Sequence, residues 1–199
     1  MLSKTKVKYI QSLSQKKLRD EEGVFIAEGP KIINELLDAG NVQVQHLFAL
    51  DDWLQQHPEL PAGTFTPVTE KELQRLSFLQ TPHQVTGIFK KPVFPVKPVF
   101  TGKLTLLLDT IQDPGNMGTI IRIADWFGIG HVIASPDSVE YYNSKVVQAA
   151  MGGHLRVQLH TADLGVLLQE TELPVLAATI GGDSIYAIDN PGKGIILIG

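Results

Sequence analysis

The chain has 199 residues, 43% of them hydrophobic, with 17 lysines and arginines, 21 acids and no cysteine. The missing thiols exclude disulfides and thiolate metal centres, and they fit the reducing cytoplasm. A net charge of −4 argues against indiscriminate coating of nucleic acid, and no apolar run of ~18 residues offers a membrane span.

The first twenty residues gather Lys4, Lys6, Lys8, Lys16, Lys17 and Arg19 against Asp20 alone. No apolar stretch follows these charges, so no secretory signal is expected. The cluster fits either a solvated helix face or a contact with phosphates. A strand is predicted over 24–27. The next segment, 30–39, reads as a helix with Ile32, Ile33, Leu36 and Leu37 on one face and Gly40 closing it. A second strand follows over 42–50, and a short helix starts at Asp51. Thr69 and Glu72 stand at capping-box spacing, and 84–89 returns as a strand. Residues 1–90 therefore read as a small α/β domain.

Residues 91–102 carry Pro92, Pro95 and Pro98 between apolar side chains. Proline fixes φ and removes a donor, which predicts an extended, semi-rigid linker. Beyond it, residues 103–199 alternate strongly. Strands are predicted at 104–108, 131–134, 155–159, 175–178 and 195–198, and helices at 117–127, 142–150 and 162–170. Short, continuous apolar strands of this kind suit a parallel sheet covered on both faces.

The most informative stretch joins the first of those strands to its helix. It runs Asp109-Thr110-Ile111-Gln112-Asp113-Pro114-Gly115-Asn116-Met117-Gly118-Thr119-Ile120-Ile121-Arg122. A strand, a sharp turn and a helix start build a site at the C-terminal edge of a sheet. Met117, Ile120, Ile121, Ala124 and Phe127 share one stripe, which is predicted to pack on the sheet. Arg122, Ile123 and Trp126 point elsewhere, so this face is expected to meet either a second copy of the chain or the N-terminal domain folded back. Asn116 is a candidate helix cap as well as a candidate site residue, and Asp113 is also a turn former. The six histidines show no metal-binding spacing, and no metal is expected.

Asp113, Pro114, Asn116, Gly118 and Arg122 resemble motif 1 of the SpoU (TrmH-like) branch of the SPOUT RNA methyltransferases. A second segment is similar to the family's Asn-Pro-Lys-Val-x-x-x-Ser-x-Gly. Asn143, Lys145 and Gly152 match it, while Ser144 and Ala150 depart from it. Gly152 is also expected as a helix C-cap. Near the start, Phe25, Glu28 and Gly29 resemble the Phe-Val-x-Glu-Gly of the family's ribosomal-protein-like substrate-binding domain.

The resemblance implies an α/β knot methyltransferase domain behind that N-terminal domain. It implies S-adenosylmethionine as cofactor, a ribose 2′-hydroxyl of rRNA or tRNA as acceptor, and a homodimer. Arg122 and Asn116 are the implied catalytic residues. Thr179, Ile180, Leu197, Ile198 and Gly199 are the implied cofactor contacts. RNA contacts are expected from Lys4, Lys6, Lys16, Lys17, Arg19, Glu28 and Lys145. The sequence stops at Gly199, ahead of the family's Asn-Glu-Gly of motif 2 and all of motif 3. It is therefore expected to be a C-terminally shortened form that lacks the knot segment and binds the cofactor poorly. A non-catalytic RNA-binding or assembly protein is the alternative.

Overall fold

The computed structural model describes residues 2–40, 42–94, 104–187 and 192–199. Two helices come first, α1 (Lys4–Ser12) and α2 (Lys16–Glu22). They are followed by β1 (Val24–Glu28), α3 (Pro30–Ala39), β2 (Val44–Ala49), α4 (Asp51–Gln55), β3 (Phe65–Pro67), α5 (Glu70–Leu76) and β4 (Val85–Lys90). The four strands form a sheet ordered β1-β4-β2-β3, with β4 antiparallel to both neighbours. Local chemistry sets several ends. Pro30 opens α3 in the first turn, where a missing N–H costs nothing. Thr69 and Glu72 form the capping box that their spacing predicts.

The second half holds β5 (Leu104–Leu108), α6 (Pro114–Trp126), β6 (His131–Ala134), α7 (Ser144–Ala150), β7 (Gln158–Thr161), α8 (Leu164–Glu170), β8 (Val175–Ala177) and β9 (Gly194–Ile198). These strands make a sheet ordered β7-β6-β5-β9-β8, parallel at every pairing. The order reverses at β5, so its C-terminal end lies at the switch point where open α/β sheets form ligand crevices.

Four expectations need correction. The strand expected over 155–159 is a 3-10 turn at Gly153–Leu155 followed by β7, whose register is set by pairing His131 with Gln158. Phe127 does not join the sheet-facing stripe. It follows the last residue of α6 and is 73% exposed, because the chain turns away at Gly128, with φ +69°. Asp113, not Asn116, caps α6, accepting the Asn116 N–H at 2.7 Å. The left-handed cap of α7 is Met151, with φ +50°, and Gly152 follows at φ +88°. Of the expected linker, residues 91–94 are described, and 95–102 lie outside the described residues.

One apolar core runs through both halves. Phe25, Ile33 and Leu36 from the first sheet's layer share it with Leu106, Met117, Ile121, Tyr142, Val146 and Ala150. The Phe25 and Tyr142 rings lie 5.2 Å apart. A separate cluster of Val7, Ile10, Leu13, Val24, Phe48 and Leu76 seats α1 on the other face of the first sheet. The second sheet's far face is closed by α8 through Leu107, Ile133, Leu164 and Ile195.

Candidate active site and substrate-facing surface

The turn after β5 is held at both ends. The Asp109 N–H donates to the Ile198 carbonyl at 2.8 Å, which ties the turn to the end of β9. Thr110 follows with φ +55°, a conformation that is a genuine outlier for a β-branched residue. Such strain persists only where surroundings over-determine it, and here they do. The Thr110 N–H donates to Ser135 Oγ at 2.8 Å, and its hydroxyl donates to Asp109 Oδ1 at 3.0 Å. The Ile111 N–H donates to Ser138 Oγ at 3.1 Å, and the Val139 N–H donates back to the Ile111 carbonyl at 2.8 Å. Segment 135–139 is thus a brace for the turn.

Gly118 has a packing reason. A Cβ there would stand 2.5 Å from Ala149 Cβ and 2.7 Å from the Val146 carbonyl, so only glycine lets α6 and α7 approach this closely. Met117, Ile121 and Ala124 are fully buried beneath. Asn116 and Arg122 sit on the opposite side, exposed. A guanidinium there is always charged and offers a planar fork of donors. Beside it Ile123 is 45% and Trp126 85% exposed. The described residues of the N-terminal half leave these side chains exposed.

The crevice at the ends of β8 and β9 holds a cavity of about 570 Å³. Its lining includes Leu176, Ala178, Thr179, Ile180, Asp183 and Ile196. Thr179 and Ile180 are among its walls. Leu197 and Ile198 are half-buried within β9 instead, packed on the two faces of the sheet. Gly199 is exposed beyond the strand, where an added Cβ would stand 3.4 Å from Asp109.

The expected RNA-contacting residues divide. Lys4, Lys16, Lys17 and Lys145 are exposed. Lys17 pairs with Glu21 at 3.8 Å along its helix. Lys6 is half-buried, with its ammonium 5.2 Å from the Phe48 ring centre. Two residues must be reassigned. Arg19 is only 4% exposed. It donates to the Leu13 and Ser14 carbonyls at 2.7 Å each and to Glu140 across the seam between the halves. Glu28 is 3% exposed, accepting from the Phe78 N–H at 2.9 Å and from the Ser77 hydroxyl. Burial pushes its carboxyl above the usual range, against the lowering effect of those donors. Both are framework residues, because neither has surface to offer an RNA. Periodicity did not distinguish them from exposed charges, since each is buried by partners from distant elements.

His154 is also enclosed. It shares a hydrogen bond with the Tyr141 carbonyl at 2.8 Å, and burial lowers its pKa to about 4. Among the described residues no group of three or more acidic, histidine or cysteine side chains is placed to hold a metal.

A family model for the MRM3-like substrate binding domain matches residues 4–87, and one for the SpoU rRNA methylase family matches residues 103–199. A solved TrmH-family structure from Porphyromonas gingivalis superposes with a TM-score of 0.87 at 34% identity, covering 100% of this chain and 81% of that one. The chain belongs to the SpoU (TrmH-like) family of RNA methyltransferases. Another SpoU-like neighbour is an AdoMet-bound rRNA methyltransferase from Sinorhizobium meliloti, with TM-score 0.83, 29% identity, and coverage of 99% of this chain and 78% of that one. Among curated relatives, the 23S rRNA (guanosine(2553)-2′-O)-methyltransferase RlmP of Bacillus subtilis is 26% identical over 170 residues, 83% of this chain and 65% of its own. The chain spans about two fifths of the length of the vertebrate mitochondrial relatives it matches, 39% for the one from Xenopus laevis.

Proposed function

We propose that this SpoU-family chain transfers a methyl group from S-adenosylmethionine to a ribose 2′-hydroxyl of ribosomal RNA. The observation that carries the reading is the braced turn after β5, with Arg122 exposed on the helix it opens. The names of the two methyltransferase relatives support the cofactor and the acceptor.

The cavity at β8 and β9 fits the cofactor in kind. Its volume of about 570 Å³ lies in the range of ligand pockets, and mostly apolar walls with few polar groups are typical of such sites. Thr179, Ile180 and Asp183 are the residues to hold it there. When bound, S-adenosylmethionine supplies an electrophilic methyl on a sulfonium. A ribose hydroxyl is a weak nucleophile, and Arg122 orients it and stabilises the developing alkoxide through its fork of donors. Asn116 positions the acceptor strand at the start of α6. The braced Thr110 keeps the turn from relaxing between turnovers.

Residues 1–90 present the RNA and 103–199 carry the transfer, joined by 91–102. The exposed Ile123, Trp126 and Phe127 pack against a second copy, giving a homodimer with Arg122 at its edge. The lack of cysteine supports a cytoplasmic setting.

The test is methyl transfer from radiolabelled S-adenosylmethionine to unmodified ribosomal RNA, with products mapped by resistance to alkaline cleavage. Label on a 2′-oxygen is expected, and Arg122→Ala lowers the rate by about 100-fold or more with unchanged melting. Label on a base, or no transfer, overturns the reading.

A further inference from the structure

A second cavity, of about 310 Å³, lies on the seam between the two halves. Lys16 and Asp20 of α2 form one wall with Lys91, and Ser135, Ser138, Glu140 and Thr161 form the other at the C-terminal edge of β6 and β7. Its charges are unequal in their freedom. Lys91 reaches Asp20 at 2.6 Å and Glu140 at 3.4 Å, and Glu140 also takes Arg19. Both carboxylates are therefore neutralised. Lys16 is exposed with no ion-pair partner among the described residues. The cavity presents one uncompensated cation over a floor that does not repel an anion. Pro136 and Val139 add apolar surface, with the buried Leu159 and Tyr142 behind them; the Tyr142 ring carries the Lys91 ammonium 4.9 Å from its centre, and its hydroxyl is buried without a hydrogen-bond partner.

A cation at the rim over a wall of mixed polar and apolar side chains suits a nucleotide: phosphodiester outside, base within. The wall that would touch the base is the same 135–139 brace that holds Thr110 and Ile111 of the site turn.

We propose that the seam cavity is an RNA subsite, which receives one nucleotide of the substrate strand with its phosphodiester against Lys16 and its base against the 135–142 wall. This inference rests on the proposed RNA-methylating function. It adds a contact that both halves of the protein make to one nucleotide, so the RNA is gripped at the brace of the catalytic turn.

The experiment is fluorescence anisotropy of a labelled single-stranded RNA decamer of mixed sequence with the full chain. Thr161→Trp fills the cavity from an exposed position. Lys16→Ala removes the free cation, and Lys71→Ala, on α5, is the control. Thr161→Trp and Lys16→Ala are each expected to weaken binding about fivefold or more, while Lys71→Ala stays within twofold of wild type and thermal melting is unchanged in all three. Wild-type affinity in Thr161→Trp overturns the subsite and leaves the methyltransferase reading standing. Failure of the wild-type chain to bind the decamer or ribosomal RNA overturns both.

Discussion

Arg19 and Glu140, 121 residues apart in sequence, form an ion pair that joins the first helices to the residue that follows the 135–139 brace. The Arg19 side chain is 5% exposed and that of Glu140 15%. Removing one partner of a buried pair leaves an uncompensated charge, which is more damaging than losing the pair as a whole. Glu140→Gln is therefore expected to lower unfolding free energy by about 3 kcal/mol, as measured by urea denaturation, because it leaves the Arg19 guanidinium with carbonyl partners alone. Lys91 still faces Glu140 when Arg19 is removed, so Arg19→Met has the smaller effect. Equal stability of Glu140→Gln and wild type would show that the pair does not tie the halves together.

Gly118 is the residue of the motif whose role is steric. A methyl at this position overlaps Ala149 and the Val146 carbonyl. Overpacking of this kind costs about 1–3 kcal/mol. Gly118→Ala is expected to melt earlier than wild type even though alanine is the better helix former. A higher melting temperature would mean that α6 and α7 separate freely.

Acid should weaken the fold through His154. Its folded pKa is depressed to about 4 from an ordinary 6.5, so the contribution is present above 6.5 and is lost as pH falls through the window towards 4. Burial lowers His131 and His160 in the same direction. The raised carboxyl of Glu28 has the opposite sign and stabilises as it takes up its proton. Denaturation followed from pH 7 to pH 4 should therefore show falling stability, with a shallower slope in His154→Gln. An unchanged slope in that variant would remove His154 from the account.

Trp126 stands 85% exposed on α6, where a large aromatic face is costly to leave in water. On the proposed homodimer, Trp126→Lys is expected to shift the sedimenting species from dimer to monomer without altering melting as a monomer. A variant that stays dimeric would move the interface elsewhere.

The periodicities, the capping box and the motif are local properties, and the sequence by itself was enough for them. It determined the alternation that makes a parallel sheet, the helix from Pro30, the capping box at Thr69, and the turn from Asp109 to Asp113 that opens the helix bearing Arg122. Each follows from residues a few positions apart, whose propensities act before any long-range contact forms. Four matters were decided only by tertiary structure. The strand after α7 begins at Gln158 because its register is fixed by β6, a partner the local pattern does not contain. Arg19 and Glu28 look like surface charges in the sequence and are enclosed by segments up to 121 residues away. Thr110 is strained because Ser135 holds it, and Ser138 holds Ile111 beside it, from another loop. The seam cavity exists because α2 and the 135–142 segment face each other. Burial and strain belong to pairs of distant segments, and no window of sequence holds both members of such a pair.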